Sequence, residues 1–229
     1  MSNEVLFIVF FCILCTFNLI AFRLWKKYIY LLIAIYTILM NIFVTKQYTL
    51  FWLDITWWNA LYWATFLLTD LLSEHHWKKE AYKAVLIWFI SMIIFVVSTQ
   101  FLIAFTPNEH DYANEAIKTL FGITPRILLG SFLAYFIAQN VDVFLYEKIK
   151  LFTKSKYLFL RNNWSTMISQ AIDTLVFTFV WLTTFWWFAW IIDINIFWEV
   201  ALATYIIKVI VAIIDTPFMY LSLIIKKWE

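Results

Sequence analysis

Seven long apolar stretches dominate this chain, near residues 4–22, 28–46, 52–72, 83–106, 118–147, 167–192 and 196–225. Crossing roughly 30 Å of hydrocarbon takes about 20 residues of helix, and each stretch is long enough. A soluble fold has no room for them. Of the 229 residues 64% are hydrophobic and 14% charged, where a soluble domain is about half apolar and a quarter charged. The runs are continuous rather than alternating. That argues against a barrel and for helices, which satisfy their own backbone in lipid. The expected fold is therefore all-α: a polytopic helical membrane protein with seven transmembrane helices, one domain over residues 1–229 and no linker. The third stretch is the weakest, interrupted by Asp54, Asn59, Thr65, Thr69 and Asp70. The first follows Ser2, Asn3 and Glu4 rather than basic residues, and no small-residue cleavage pattern comes after it. It reads as a span and not as a signal peptide.

Short connections rich in Lys and Arg stay on the cytoplasmic side. With the N-terminus outside and the C-terminus inside, the inner connections hold Arg23, Lys26 and Lys27; Lys78, Lys79 and Lys83; Lys148, Lys150, Lys154, Lys156 and Arg161; and Lys226 and Lys227. Of the 17 basic residues, only Lys46, Lys118, Arg126 and Lys208 fall elsewhere. An odd number of spans is needed to put all four clusters on one side. The segment from Pro107 to Lys118 reads as a short amphipathic piece at the outer surface. The segment from Lys148 to Thr166 reads as a solvated basic loop among anionic headgroups. A net charge of +2 gives no reason to expect nucleic acid as a partner.

Polar residues inside the spans are the informative ones, because a charge at mid-bilayer costs at least about 2.5–3.5 kcal/mol and normally faces a partner or a water-filled path. The fifth span carries Arg126, then Gln139 and Asp142 one turn apart. The sixth carries Gln170 and Asp173 at the same spacing, and the seventh carries Lys208 and Asp215. The third adds Asn59, Thr65, Thr69 and Asp70. Asn59 and Arg126 fall toward the outside, Lys208 near the middle, and the remaining carboxylates and glutamines in the inner half. These four helices are expected to surround a polar path. For any one residue, the competing reading is a helix–helix pair such as Lys208 with an Asp, serving packing alone.

Four stretches resemble signatures of the queuosine-precursor transporters, also called the vitamin uptake transporter family. They are WNALYWATFLLTDLLSEHHWKKEAYKAV (58–85), PRILLGSFLAYFIAQNVDVFLY (125–146), LRNNWSTMISQAIDTLVF (160–177) and YIIKVIVAIIDTPFMYL (205–221). They run through most of the chain after residue 50, in the family's order. The resemblance implies uptake of a 7-deazaguanine base such as 7-cyano-7-deazaguanine, for tRNA modification, across the bacterial cytoplasmic membrane. It implies a secondary carrier, or alternatively a substrate-binding subunit of an energy-coupling-factor transporter, whose general shape such proteins share. No cofactor is implied. The coupling ion stays open, and so does a homo-oligomeric state.

The residues are compatible with such a substrate. A guanine-type edge presents N–H donors beside a carbonyl acceptor. A carboxylate accepts from the donors in bidentate fashion, and an amide or cation donates to the carbonyl. Asp70, Asp142 and Asp173 are candidates for the first role, and Asn59, Arg126, Gln139 and Gln170 for the second. Lys208 and Asp215 are the candidate coupling or gating pair. Cys12 and Cys15 form a CxxC within an apolar span and read as two small core residues. Glu74, His75 and His76 read as a helix end rather than as metal ligands, because consecutive histidines do not share one helix face. No glycine-rich phosphate loop and no hydrolase motif is present, so the chain is not expected to be an enzyme.

One feature departs from this picture: the chain has 14 Trp and 2 Gly, although glycine averages about 7%. Several Trp fall at expected interfaces, as an aromatic girdle does. But Trp52, Trp58, Trp77, Trp88 and Trp164 stand where the sequences this one resembles tend to have glycine. UGA encodes tryptophan in some genetic codes and glycine in others. A single translation with the wrong table accounts for all five more simply than five separate exchanges, so none of them is assigned to the site.

Overall fold

The computed structural model describes residues 2–43, 46–50, 53–56, 59–122, 124–182 and 194–225. Among them run α1 (Asn3–Leu24), α2 (Lys26–Phe43), β1 (Gln47–Leu50), β2 (Leu53–Thr56), α3 (Asn59–His75), α4 (Lys78–Ala104), α5 (Asn114–Phe121), α6 (Thr124–Phe152), α7 (Leu158–Leu182) and α8 (Ile194–Ile225). The protein is an all-α polytopic membrane protein, with one two-stranded hairpin between α2 and α3.

Its outward faces are apolar. On α1 the buried Phe11, Leu14, Cys15 and Asn18 follow helical spacing, while Val5, Ile13, Phe17 and Ile20 on the other side are exposed. The same holds for Leu86, Ile90, Ile94 and Phe101 on α4. Such surfaces have their counterpart in lipid, not in water. Helices α1, α2, α4 and the 204–225 part of α8 are each long and apolar enough to cross a membrane. The equally long α6 and α7 are more polar.

The weakest of the apolar stretches forms the centre of the bundle. Every residue of α3 from Ala60 to Ser73 is buried, and α3 packs against α1, α2, α4, α6 and α8. A helix enclosed on all sides has no lipid-facing stripe to supply, so it can carry Thr65, Thr69 and Asp70. Asn18 of α1 fastens to it, donating its amide to the Ala64 carbonyl at 2.8 Å and accepting from the Tyr36 hydroxyl of α2 at 3.0 Å.

Three local expectations are corrected. The stretch beginning at residue 52 is not helical from its start. Residues 47–50 and 53–56 pair as antiparallel strands, with Tyr48 opposite Ile55 and Leu50 opposite Leu53, because aromatic and β-branched residues here favour a pleated strand. The stretch from 118 is split between the amphipathic α5, none of whose residues is buried, and α6. The basic segment 148–166 is mostly helix ends rather than a loop. Only residues 153–157 separate α6 from α7, with Lys154, Ser155 and Tyr157 in left-handed conformations.

Of the tryptophans at glycine-like positions, Trp77 is 82% exposed and Trp164 52% exposed. Trp88 is buried, with its ring 3.8 Å from Tyr135 in a stacked arrangement. Trp52 and Trp58 lie outside the described residues, as do Trp186, Trp187, Trp190 and Trp228.

Candidate functional site

The polar residues of α3, α6, α7 and α8 come together inside the bundle at three successive levels. The first is built around Asp173 of α7. Tyr62 of α3 donates its hydroxyl to Oδ1 at 2.6 Å, and Lys208 of α8 forms a short ion pair with Oδ2. Lys208 also lies 5.4 Å from the centre of the Tyr62 ring. Removed from water, a carboxylate and an ammonium need this closeness and these further donors to offset desolvation.

One turn along, α3, α6 and α7 meet. Gln139 donates its amide to the Thr69 hydroxyl, and Ser169 donates to Asp142 Oδ1 at 3.0 Å. The Asp70 and Asp142 carboxyls lie within hydrogen-bonding reach of each other. Gln170 stands beside the Tyr62 hydroxyl, yet neither end of its amide makes a hydrogen bond of normal geometry. Tyr62, Phe66 and Tyr135 form an edge-to-face aromatic group at this level, with ring centres 5.2–5.8 Å apart.

At the third level Asn162 of α7 donates to Asp215 Oδ1 of α8 at 3.1 Å, and Asn163 donates to the Thr216 hydroxyl at 2.8 Å. Pro217 follows immediately and removes one intrahelical bond from α8.

Beyond these levels the bundle end is closed by Glu74 at the tip of α3. Arg161 grips it in a fork, Nε to Oε2 at 2.8 Å and Nη2 to Oε1 at 2.5 Å. Tyr146 donates to the same carboxylate at 3.0 Å. The third nitrogen of Arg161 donates to the carbonyls of Ser155 and Lys156 at 3.1 and 3.2 Å, which holds the left-handed turn. Arg161 is 2% exposed. Lys150 donates to the Ser73 and Glu74 carbonyls at 2.9 and 2.7 Å. At the same end Lys26 and Lys83 pair with Glu80 at 3.4 and 2.8 Å.

Asp70, Gln139, Asp142, Gln170, Asp173, Lys208 and Asp215 are thus all buried and all belong to this column. The side chains of Asn59 and Arg126 lie outside the described residues. One expected pair does not form. Lys208 and Asp215 stand about 10 Å apart along α8, seven residues at 1.5 Å each, and Lys208 reaches across to Asp173 instead. Residues passed over in the sequence also belong here: Tyr62, Ser169, Asn162, Asn163 and Arg161. Only the two asparagines in RNNWS, polar residues bordering a span, gave any signal. Tyr62 looks like one aromatic among many, and Arg161 looks like one more loop cation. The histidine-bearing tip of α3 is a helix end, where His75 bonds Ser222 at 2.7 Å. Among the described residues no cluster of His, Cys, Asp and Glu is arranged to hold a metal. Cys12 and Cys15 are both free thiols.

This column of buried polar groups has counterparts in known proteins. The model of a family described as putative vitamin uptake transporter matches residues 56–222, which take in α3 to α8 almost entirely and leave out α1 and α2. A protein of Bacillus subtilis (strain 168) named probable queuosine precursor transporter is 34% identical over 196 residues, covering 85% of this chain and 83% of its own. No solved structure matches. The matched region contains every level of the polar column, and the likeness to the relative extends over most of both chains. The protein is a non-enzymatic membrane transporter belonging to the vitamin uptake transporter family.

Proposed function

We propose that this protein imports a queuosine precursor, a 7-deazaguanine base such as 7-cyano-7-deazaguanine, across the bacterial cytoplasmic membrane as a secondary carrier. The name carried by the Bacillus relative supports the substrate class. The reading rests on one observation. Between α3, α6 and α7, buried polar atoms are left without a hydrogen bond of normal geometry among the described residues: both ends of the Gln170 amide beside the Tyr62 hydroxyl, the Gln139 carbonyl, the Tyr135 hydroxyl and the Thr174 hydroxyl. A polar core that serves packing alone is satisfied almost completely, and each group left unmade costs about 1–3 kcal/mol. Such a set belongs with a ligand that brings its own donors and acceptors.

A guanine-type edge is complementary to it. The Gln170 carbonyl accepts from ring N–H while its amide donates to the ring carbonyl. The Gln139 carbonyl accepts from the exocyclic amine, and Tyr62, Phe66 and Tyr135 provide flat apolar surface. Asp173 fixes Tyr62 and Lys208 around this region. Seven spans with the C-terminus inside place the Glu74–Arg161 closure on the cytoplasmic side.

The test is complementation of queuosine formation in a transporter-deficient cell at low precursor concentration. Wild type restores it. Asp173→Asn and Asp142→Asn each abolish uptake while the protein still inserts, and normal uptake in both variants would sink the assignment. Reconstitution of the purified chain separates the two carrier types: uptake that requires added ATPase and coupling subunits rules out the secondary carrier.

A further inference from the structure

We propose that Asp70 and Asp142 form a proton-binding site that couples transport to the proton gradient, with one proton held between the two carboxyls. The inference builds on the importer reading and adds its energy source.

The two side chains come from different helices, α3 and α6, and both are fully buried. They lie within hydrogen-bonding reach of each other. A contact of that kind between carboxyls requires an O–H on one of them, since two bare carboxylates repel and offer no donor. The remaining partners do not supply that donor. Asp142 Oδ1 takes the Ser169 hydroxyl, and Ser165 and Thr166 of α7 stand near the same carboxyl. Neither oxygen of Asp70, nor Oδ2 of Asp142, has a protein donor among the described residues.

Among the described residues, the charged and titratable surroundings supply no neutralising cation. From α8 comes Asp215, and from α3 itself Glu74. From α6 comes the Tyr135 phenol. Helix α1 adds the buried Cys15 thiol on the side of Asp215. Tyr36 of α2 is engaged with Asn18, and α4 turns the uncharged Ala84 and Trp88 inward. The nearby cations have partners already: Lys208 is held by Asp173, and Arg161 and Lys150 by Glu74. Three carboxyls, Asp70, Asp142 and Asp215, therefore share a low-dielectric interior with no cation paired to any of them among the described residues. A proton is the smallest ligand that relieves this. A divalent metal lacks the three convergent ligands it needs among the described residues.

The position of the pair explains coupling. Asp70 follows Thr69, which receives the Gln139 amide, and Asp142 lies one turn from Gln139. With the proton in place the carboxyls tie α3 to α6 beside the proposed base site. When the proton passes to water, two carboxylates face each other and push the same helices apart. Loading and release of the proton thereby bias the α3–α6 contact that the substrate also uses.

The experiment uses the full chain, purified and reconstituted in liposomes with a pH-sensitive dye inside. Wild type is first assayed for exchange of labelled 7-cyano-7-deazaguanine against trapped unlabelled base, with no ion gradient. Absence of exchange overturns the importer reading and this inference with it. Given exchange, an inward proton gradient is expected to drive accumulation, and substrate addition to bring protons in. Exchange without proton entry, or accumulation driven by a sodium gradient at equal pH on both sides, overturns the proton site and leaves the importer reading standing. Asp70→Asn is expected to lose both gradient-driven accumulation and the proton signal, and retention of both is a second overturning result. The wild-type measurements decide the matter even if that variant does not fold.

Discussion

Removing the Lys208 ammonium leaves Asp173, in a dry interior, with the Tyr62 hydroxyl as its remaining side-chain donor among the described residues. Breaking a buried pair from one side costs about 3–5 kcal/mol, while removing both charges is often close to neutral. Lys208→Met is therefore expected to lower thermal stability in detergent strongly. Lys208→Met with Asp173→Asn recovers most of that loss without recovering uptake. If the double variant is no more stable than the single one, the pair is not the source of the cost. A second prediction concerns Trp77. It occupies the residue before α4, where its side chain makes no capping bond and is 82% exposed. Serine, threonine, aspartate, asparagine and glycine are the residues that favour such a position. Mass spectrometry of a native peptide covering residue 77 is expected to give the mass of glycine there. Tryptophan at that position ends the idea of a misread codon.

Among the helices, α3 tolerates change least. Ala64→Leu adds three carbons where five helices converge, and overpacking of this kind costs about 1–3 kcal/mol. Phe17→Leu on the outward face of α1, 51% exposed, is expected to shift stability by no more than about 0.5 kcal/mol. Thermal unfolding of both variants in one detergent tests the contrast; similar losses would place α3 at the periphery. Much of this was legible beforehand. The continuous apolar runs announced α1, α2, α4 and α8, and the rule that buried charges must be accommodated singled out Asp70, Asp142, Asp173, Lys208 and Asp215. The rest was hidden for physical reasons. Hydropathy averages over a window and measures preference for lipid, so a helix enclosed by other helices reads as a poor span rather than as a centre. Pairing across helices leaves no trace in spacing along one helix, so the sequence shows Asp215 on the same helix as Lys208 but gives no sign that Asp173 is its partner. Arg161 counted as a loop cation because nothing local shows that Glu74 folds back to meet it.

For the molecule as a whole, the ends of α3 and α6 and the starts of α2, α4 and α7 bring Lys26, Lys83, Lys150 and Arg161 to one end of the bundle through their pairs with Glu80 and Glu74. The positive-inside rule predicts that this end is cytoplasmic. A fluorescent protein fused after residue 229 is expected to fluoresce, and alkaline phosphatase fused there to stay inactive; the opposite pair of results reverses the orientation. The enclosure of α3 also bears on how the protein is made. With Asp70 at its heart, this helix carries an insertion cost of about 2.5–3.5 kcal/mol for that residue alone, so it is a poor passenger for the membrane when it leaves the ribosome by itself. Helices α1 and α2 emerge first, lie outside the region matched by the family model, and hold α3 through Asn18. They give the nascent α3 a protein surface to lie against until α6 and α8 arrive to close over it, so a helix with a carboxyl at its centre need not face lipid alone.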